Sequence, residues 1–388
     1  MYNLNSHYEN IFHYLKTIVT HRRVLYLHPF GSTQPENIES ISDNLDELNS
    51  RLRAELREAS IGEGPLFIFY DQEPIYGEFN YALFDYIRDN IPGPHILVTT
   101  EKESAPLDQV LARYNWPTAY YFHHVFAAHD WFRGYQYDSR LIEPQQRTLT
   151  KKYISFNRIT SASRVYRSLF VSELIKRNIL DQGYVSYGDV CPDNNQNYVT
   201  NLTDAAANGT INHAQCAEAI DNISMAQLPL RIDCKDQALI PNRSFVLGAI
   251  EETQESFCYV VTETCYWEKK HHLTEKIFKP IVSKMPFILV GPAHNLEYLR
   301  SYGFKTFSQW IDESYDTIED PVQRLAAIAD SLSKLCSKSL TELESILAEM
   351  SPTLEHNYQL FNSQEFITHA WEELTSGLVA SIHNSTSN

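Results

Sequence analysis

An α/β protein built on parallel sheets is the fold class this sequence predicts, on three observations. Short apolar runs of strand length alternate with segments of helical periodicity, first between residues 24 and 126 and again between 152 and 291. A polar stretch from Tyr135 to Thr150, without periodicity, separates the two series and reads as the connection between two domains. The 388 residues also exceed one ordinary core, at about 100–200 residues per domain.

In chain order, Val24-Leu25-Tyr26-Leu27 is strand-like, and Ile38, Ile41, Leu45, Leu48, Leu52 and Leu56 then recur at helical spacing. Leu66 to Tyr70 and His95 to Thr99 are continuous apolar runs of the kind that fill a sheet covered on both faces, with a helical pattern from Tyr81 to Ile87 between them. A further strand is expected around Ala119 to Phe126. The second series comprises a strand at Lys152 to Phe156, a helix at Ser161 to Lys176, a strand at Phe257 to Thr262, a helix at Thr274 to Ser283 and a strand at Pro286 to Gly291. Residues 190–245 carry weak pattern and are expected to form an insertion of short helices and loops. After Asp320-Pro321 the helical spacing returns through Val322, Leu325, Ile328, Leu332 and Leu335, then through Leu340, Leu343, Ile346, Leu347 and Met350. Pro352 is expected to break it, and Ser381 to Asn388 reads as a polar tail.

Lys and Arg total 32 against 49 Asp and Glu, a net charge of −17 that repels phosphate backbones unless the cations gather in one cleft. A general nucleic-acid binder is therefore disfavoured. No apolar run reaches the roughly 18 residues of a membrane span. The six cysteines, Cys191, Cys216, Cys234, Cys258, Cys265 and Cys336, show no CxxC spacing and read as reduced thiols, so a cytoplasmic location is expected.

The segment richest in chemistry is His272-Leu273-Thr274-Glu275-Lys276. Thr274 has the character of a helix cap, which sets Glu275 and Lys276 in a first turn where backbone amides and the helix dipole favour an anion such as a diphosphate. Lys276 would add a point charge, and Glu275 would accept from ribose hydroxyls. A capped surface helix would look the same over these three residues alone. His123-His124 with His129-Asp130 suggests a metal site only superficially, because neighbours on the expected strand point to opposite faces. With no D-x-D in the chain, a site without a metal is the coherent expectation. Tyr120, Tyr121, Trp131, Phe132 and Tyr135 could stack on sugar or base rings or simply fill a core.

Tyr259 to Thr264, Thr274-Glu275-Lys276 and Pro286 to Gly291 together resemble the donor-site region of the fucosyltransferases that use GDP-fucose to make α-1,3 linkages. There the pattern is F-E-N-(S/T), Y-V-T-E-K, a helix and P-V-x-x-G. Glu263-Thr264 stand at the E-N pair, with Thr264 in place of Asn, and His272 stands at the Tyr. Ser155-Phe156-Asn157 followed by Arg164 resembles the S-N-x-x-x-x-x-R segment, and Phe69 to Pro74 resembles F-Y-T-G-E-N. The resemblance implies two Rossmann-like domains facing a cleft (GT-B-like): an acceptor domain at 1–145, a nucleotide-sugar donor domain at 146–318 and bracing helices at 319–388. It implies Glu73 as catalytic base and Asn157, Arg164, Glu263, Thr264, His272, Thr274, Glu275 and Lys276 as donor-binding residues. The implied reaction passes a sugar from a GDP- or UDP-linked nucleotide sugar, with no further cofactor, to a glycan hydroxyl. A viral-type enzyme acting on a modified DNA base and a non-catalytic binding or assembly protein of the same fold are the alternatives.

Overall fold

The computed structural model describes residues 4–27, 61–75, 78–232 and 246–386. The chain is α/β, with two four-stranded parallel sheets and many helices. Its contacts divide it into two units, Met1–Asp130 with Lys270–His272 and Gln364–Asn388, and Trp131–Lys269 with Leu273–Ser363. The sequence reading places the boundary at 145 instead and groups all the C-terminal helices together. The helical pattern of Ile38 to Leu56 and Cys234 lie outside the described residues.

In the first unit, α1 (Leu4–Ile18) precedes β1 (Arg23–Tyr26), and the chain resumes at β2 (Leu66–Tyr70), α2 (Glu78–Asn90), β3 (His95–Thr99), α3 (Ala105–Tyr114), β4 (Thr118–Tyr120) and α4 (His123–Phe132). The strands lie in the order β1-β2-β3-β4, all parallel. Every residue of β2 and β3 is buried, which is why both read as unbroken apolar runs rather than as alternations. α3 has its boundary signals in place: Ser104 caps it by accepting from the Leu107 amide, proline occupies the first turn, and Asn115 closes it at φ 51°.

The strand expected across Ala119 to Phe126 is corrected to a three-residue strand and a helix. Val125, Phe126, Ala127, Ala128 and Phe132 are all buried, and an apolar run enclosed on every side carries no period to separate helix from strand. His123 and His124 are therefore helical neighbours, not strand neighbours.

The second unit runs through β5 (Lys151–Asn157), α5 (Tyr166–Lys176), β6 (Gly183–Tyr187), α6 (Tyr198–Ala207), α7 (His213–Ser224), α8 (Ile250–Gln254), β7 (Ser256–Thr262), α9 (Glu275–Val282), β8 (Phe287–Val290), α10 (Asn295–Ser301), α11 (Pro321–Cys336) and α12 (Leu340–Asn362). Its strands are again all parallel but lie in the order β6-β5-β7-β8, so the chain leaves β5 toward one edge and later returns to its other side. Gly183 starts β6 against the ring of Tyr153, where any Cβ would collide with the ring. The helix expected from Ser161 begins as a 3-10 turn, Ala162–Arg164, before α5.

Fully buried Arg324 of α11 donates to the carbonyl oxygens of Gly291 (3.1 Å), Ile318 (2.8 Å), Glu319 (3.0 Å) and Tyr266 (2.6 Å), tying the exit of β8 to the helical layer. Pro352 does not break α12. Leu343, Leu347 and Met350 before it and Leu354, Asn357 and Phe361 after it bury one continuous stripe, and that packing outweighs the lost backbone hydrogen bond. The expected polar tail is also corrected: α13 (Gln364–Thr386) extends into it as far as Thr386, with Ser381 buried and donating to the Thr118 carbonyl at 2.7 Å. Among the described residues no helix is long and apolar enough to cross a membrane.

Candidate functional site

In open parallel sheets, ligands settle at the carboxyl ends of the strands where the strand order reverses, because the loops there diverge and leave a crevice. In the second unit that place is occupied by a cavity of about 680 Å³, within the range of about 300–1,000 Å³ usual for small-molecule sites. Its walls are Phe156 to Ile159 beyond β5, Ser186 to Val190 beyond β6, Tyr259 to Thr262 of β7, the start of α9, Pro229 to Ile232 and Leu247 to Ala249.

The lining holds five cationic side chains, Arg158, Arg167, Arg231, Lys276 and Lys279, against two acidic ones, Asp189 and Glu275. In a chain of net charge −17 this is a local reversal of sign and selects for an anion. The cations differ in availability. Arg158 and Arg231 are exposed. Arg167 is buried and committed to the frame: it donates to the carbonyl oxygens of Ile159, Thr262 and Glu263, each at 3.0 Å, and so joins the turn after β5 to the end of β7.

Thr274 caps α9, its hydroxyl accepting from the Lys276 amide at 3.4 Å. Lys276 donates to the hydroxyls of Thr264 and Thr274 and to Glu275 Oε1, each at 3.1 Å, which stations the ammonium over the first turn. Glu263 is fully buried and does not line the cavity. Its Oε1 accepts from the Thr274 amide (3.2 Å), and its Oε2 from the Thr274 hydroxyl (2.5 Å) and the Thr264 amide (3.3 Å). Burial raises its pKa above the ordinary value, opposed by Lys276 and by the Thr274 hydroxyl. Glu263 thus holds the helix start in place, and the helix start presents Lys276.

Asn157, at the end of β5, is fully buried at the wall of the cavity. Its amide nitrogen donates to Ser155 Oγ at 3.0 Å while its Oδ1 has no hydrogen-bond partner among the described residues. Turning the amide over exchanges the two atoms, so either orientation leaves one polar atom of the side chain unsatisfied.

Comparison with protein-family models, with curated proteins and with solved structures finds no match.

Of the residues singled out in the sequence, Asn157, Glu275 and Lys276 meet at the cavity, with Thr264, Thr274 and Glu263 supporting them from behind. Arg164 lies in the 3-10 turn and is not part of the lining, which receives Arg158 and Arg167 from the same stretch. His272 groups with the first unit, its ring edge-on to His124 at 5.5 Å between centroids. Glu73 is half-buried in the turn beyond β2 in that unit, and neighbouring Asp71 is fully buried, 3.4 Å from His123 Nδ1. Among the described residues no group of three or more His, Cys, Asp or Glu side chains is arranged to hold a metal ion. Sequence reading missed Arg158, Asp189, Arg231 and Lys279, which are scattered over four segments and converge only through the strand order.

Proposed function

We propose that this protein is a glycosyltransferase of the GT-B type, which passes a sugar from a nucleoside diphosphate to a glycan hydroxyl. The observation that carries the reading is the cationic cavity at the strand-order reversal, bounded by the capped start of α9. A nucleoside diphosphate offers the complementary parts: two phosphates for the helix start, Lys276 and Arg158, and a base and ribose for the apolar and hydroxyl-bearing walls around Tyr187, Pro229 and Leu230. The same groups would stabilise the diphosphate as it departs with the bonding electrons of the sugar. Glu73 is proposed to take the proton of the attacking hydroxyl. Fucosyl transfer from GDP-fucose is the donor favoured by the sequence resemblance.

A panel of GDP- and UDP-linked sugars assayed for hydrolysis and transfer tests the reading. At least one donor should turn over, and Glu73→Gln should keep its nucleotide affinity while losing about 10²–10⁴ in turnover. Absence of turnover with every donor, despite nucleotide binding, would favour a binding protein.

A further inference from the structure

Three side chains of α9 line the cavity: Glu275, Lys276 and Lys279. Residues three and four apart share a helix face, so Lys279 stands about one turn deeper than Lys276 on the same side. It is half-buried, with its ammonium 5.9 Å from the centroid of the Phe132 ring. An ammonium held in a wall without full hydration is disfavoured in its charged form. Asn157, at the end of β5, lines the same cavity.

We infer that Lys279 is a second diphosphate-holding residue, gripping the inner phosphate while Lys276 and the helix start hold the outer one; this rests on the nucleotide reading of the cavity.

Burial lowers the pKa of Lys279 to about 8, with Glu275 raising it and Lys276 lowering it further. The elements packed against α9 contribute Tyr259 from β7, Arg133 and Tyr135 from the 3-10 turn Arg133–Tyr137, and Glu355 and Tyr358 from α12. The opposite walls contribute Arg158, Arg167, Asp189 and Arg231. Burial pushes Tyr259 and Tyr358 above the ordinary phenol value, and Lys284 pulls Glu355 below the ordinary carboxyl value. Above about pH 8, then, an arriving diphosphate should draw a proton onto Lys279.

The test is calorimetric titration of wild type, Lys279→Met and Lys279→Arg with inorganic pyrophosphate, then with GDP and UDP, at pH 8.5 in two buffers of different ionisation enthalpy. Lys279→Met should weaken pyrophosphate binding by about tenfold or more, whereas Lys279→Arg should stay within a few-fold of wild type. Wild type should take up more protons on binding than either variant. If the Met variant does not fold, retained affinity together with lost proton uptake in the Arg variant decides in favour. Pyrophosphate affinity unchanged in Lys279→Met, equal proton uptake in wild type and both variants, or a wild type that does not bind pyrophosphate would each overturn the role of Lys279. Binding of pyrophosphate but of neither nucleotide would leave Lys279 in place and remove the nucleotide reading instead.

Discussion

The two sheets have the same strand number and the same parallel pairing, yet only their strand orders differ in a way that matters for chemistry. The first runs β1-β2-β3-β4 without reversal, and at its carboxyl edge Glu101 is consumed internally. That carboxylate accepts from the Ile75 amide (2.7 Å) and Lys270 Nζ (2.8 Å) and also from the Ser104 hydroxyl, all of them buried. The second sheet reverses at β5, and at its carboxyl edge lies a cavity bordered by the exposed cations Arg158 and Arg231. The lesson is that polar groups at a strand end become a site when the topology opens a crevice beside them.

The largest effect expected from breaking this contrast is on the first sheet. Lys270→Met strands the Glu101 carboxylate in a buried setting, and removing one partner of such a pair typically costs about 3–5 kcal/mol. The urea midpoint of the first unit should fall accordingly, with nucleotide affinity unaffected in the protein that remains folded. Next in size, Lys276→Ala in the second unit should weaken nucleoside diphosphate binding by about 10- to 100-fold, the worth of a charge-assisted contact, with little change in melting temperature. Gly183→Ala drives a methyl group into the Tyr153 ring and should cost about 1–3 kcal/mol, measured by denaturation.

The smallest effect concerns Glu263. Its folded pKa lies above the ordinary 4.5, so between those two values the native protein binds more protons than the unfolded chain, and stability falls as pH rises through that window. Glu263→Gln should flatten that part of the stability–pH curve. An unchanged slope would mean that Glu263 titrates no differently in the folded state.

Much of this contrast could be read before folding, and the exceptions have physical causes. β2, β3, β7 and β8 were legible because strands buried on both faces spell continuous apolar runs. β6 escaped notice because it is an edge strand, only partly covered, and Gly183-Tyr184-Val185-Ser186-Tyr187 therefore mixes polar and apolar residues. α3 was passed over, although its cap Ser104 and Pro106 in its first turn mark its start. In the site, Thr274, Glu275 and Lys276 were legible because a capped helix start is a local pattern, whereas Asn157 was singled out only through the resemblance of Ser155-Phe156-Asn157 to a family segment. Arg158 and Arg231 were not, since nothing near them in sequence distinguishes them from ordinary surface cations. Only the return of the chain to the far side of β5 brings them together.

The central claim is that the second unit's cavity receives a nucleoside diphosphate. Hydrogen exchange of the full chain with and without GDP or UDP at 100 times the dissociation constant tests it most directly, since such loading should also stabilise the protein by about 2.7 kcal/mol. The account predicts added protection at Asn157 to Ile159, Ser186 to Val190 and Glu275 to Lys279. Protection confined to the carboxyl edge of the first sheet, around Asp71 to Ile75 and Thr99 to Ser104, or none with either nucleotide, would contradict it.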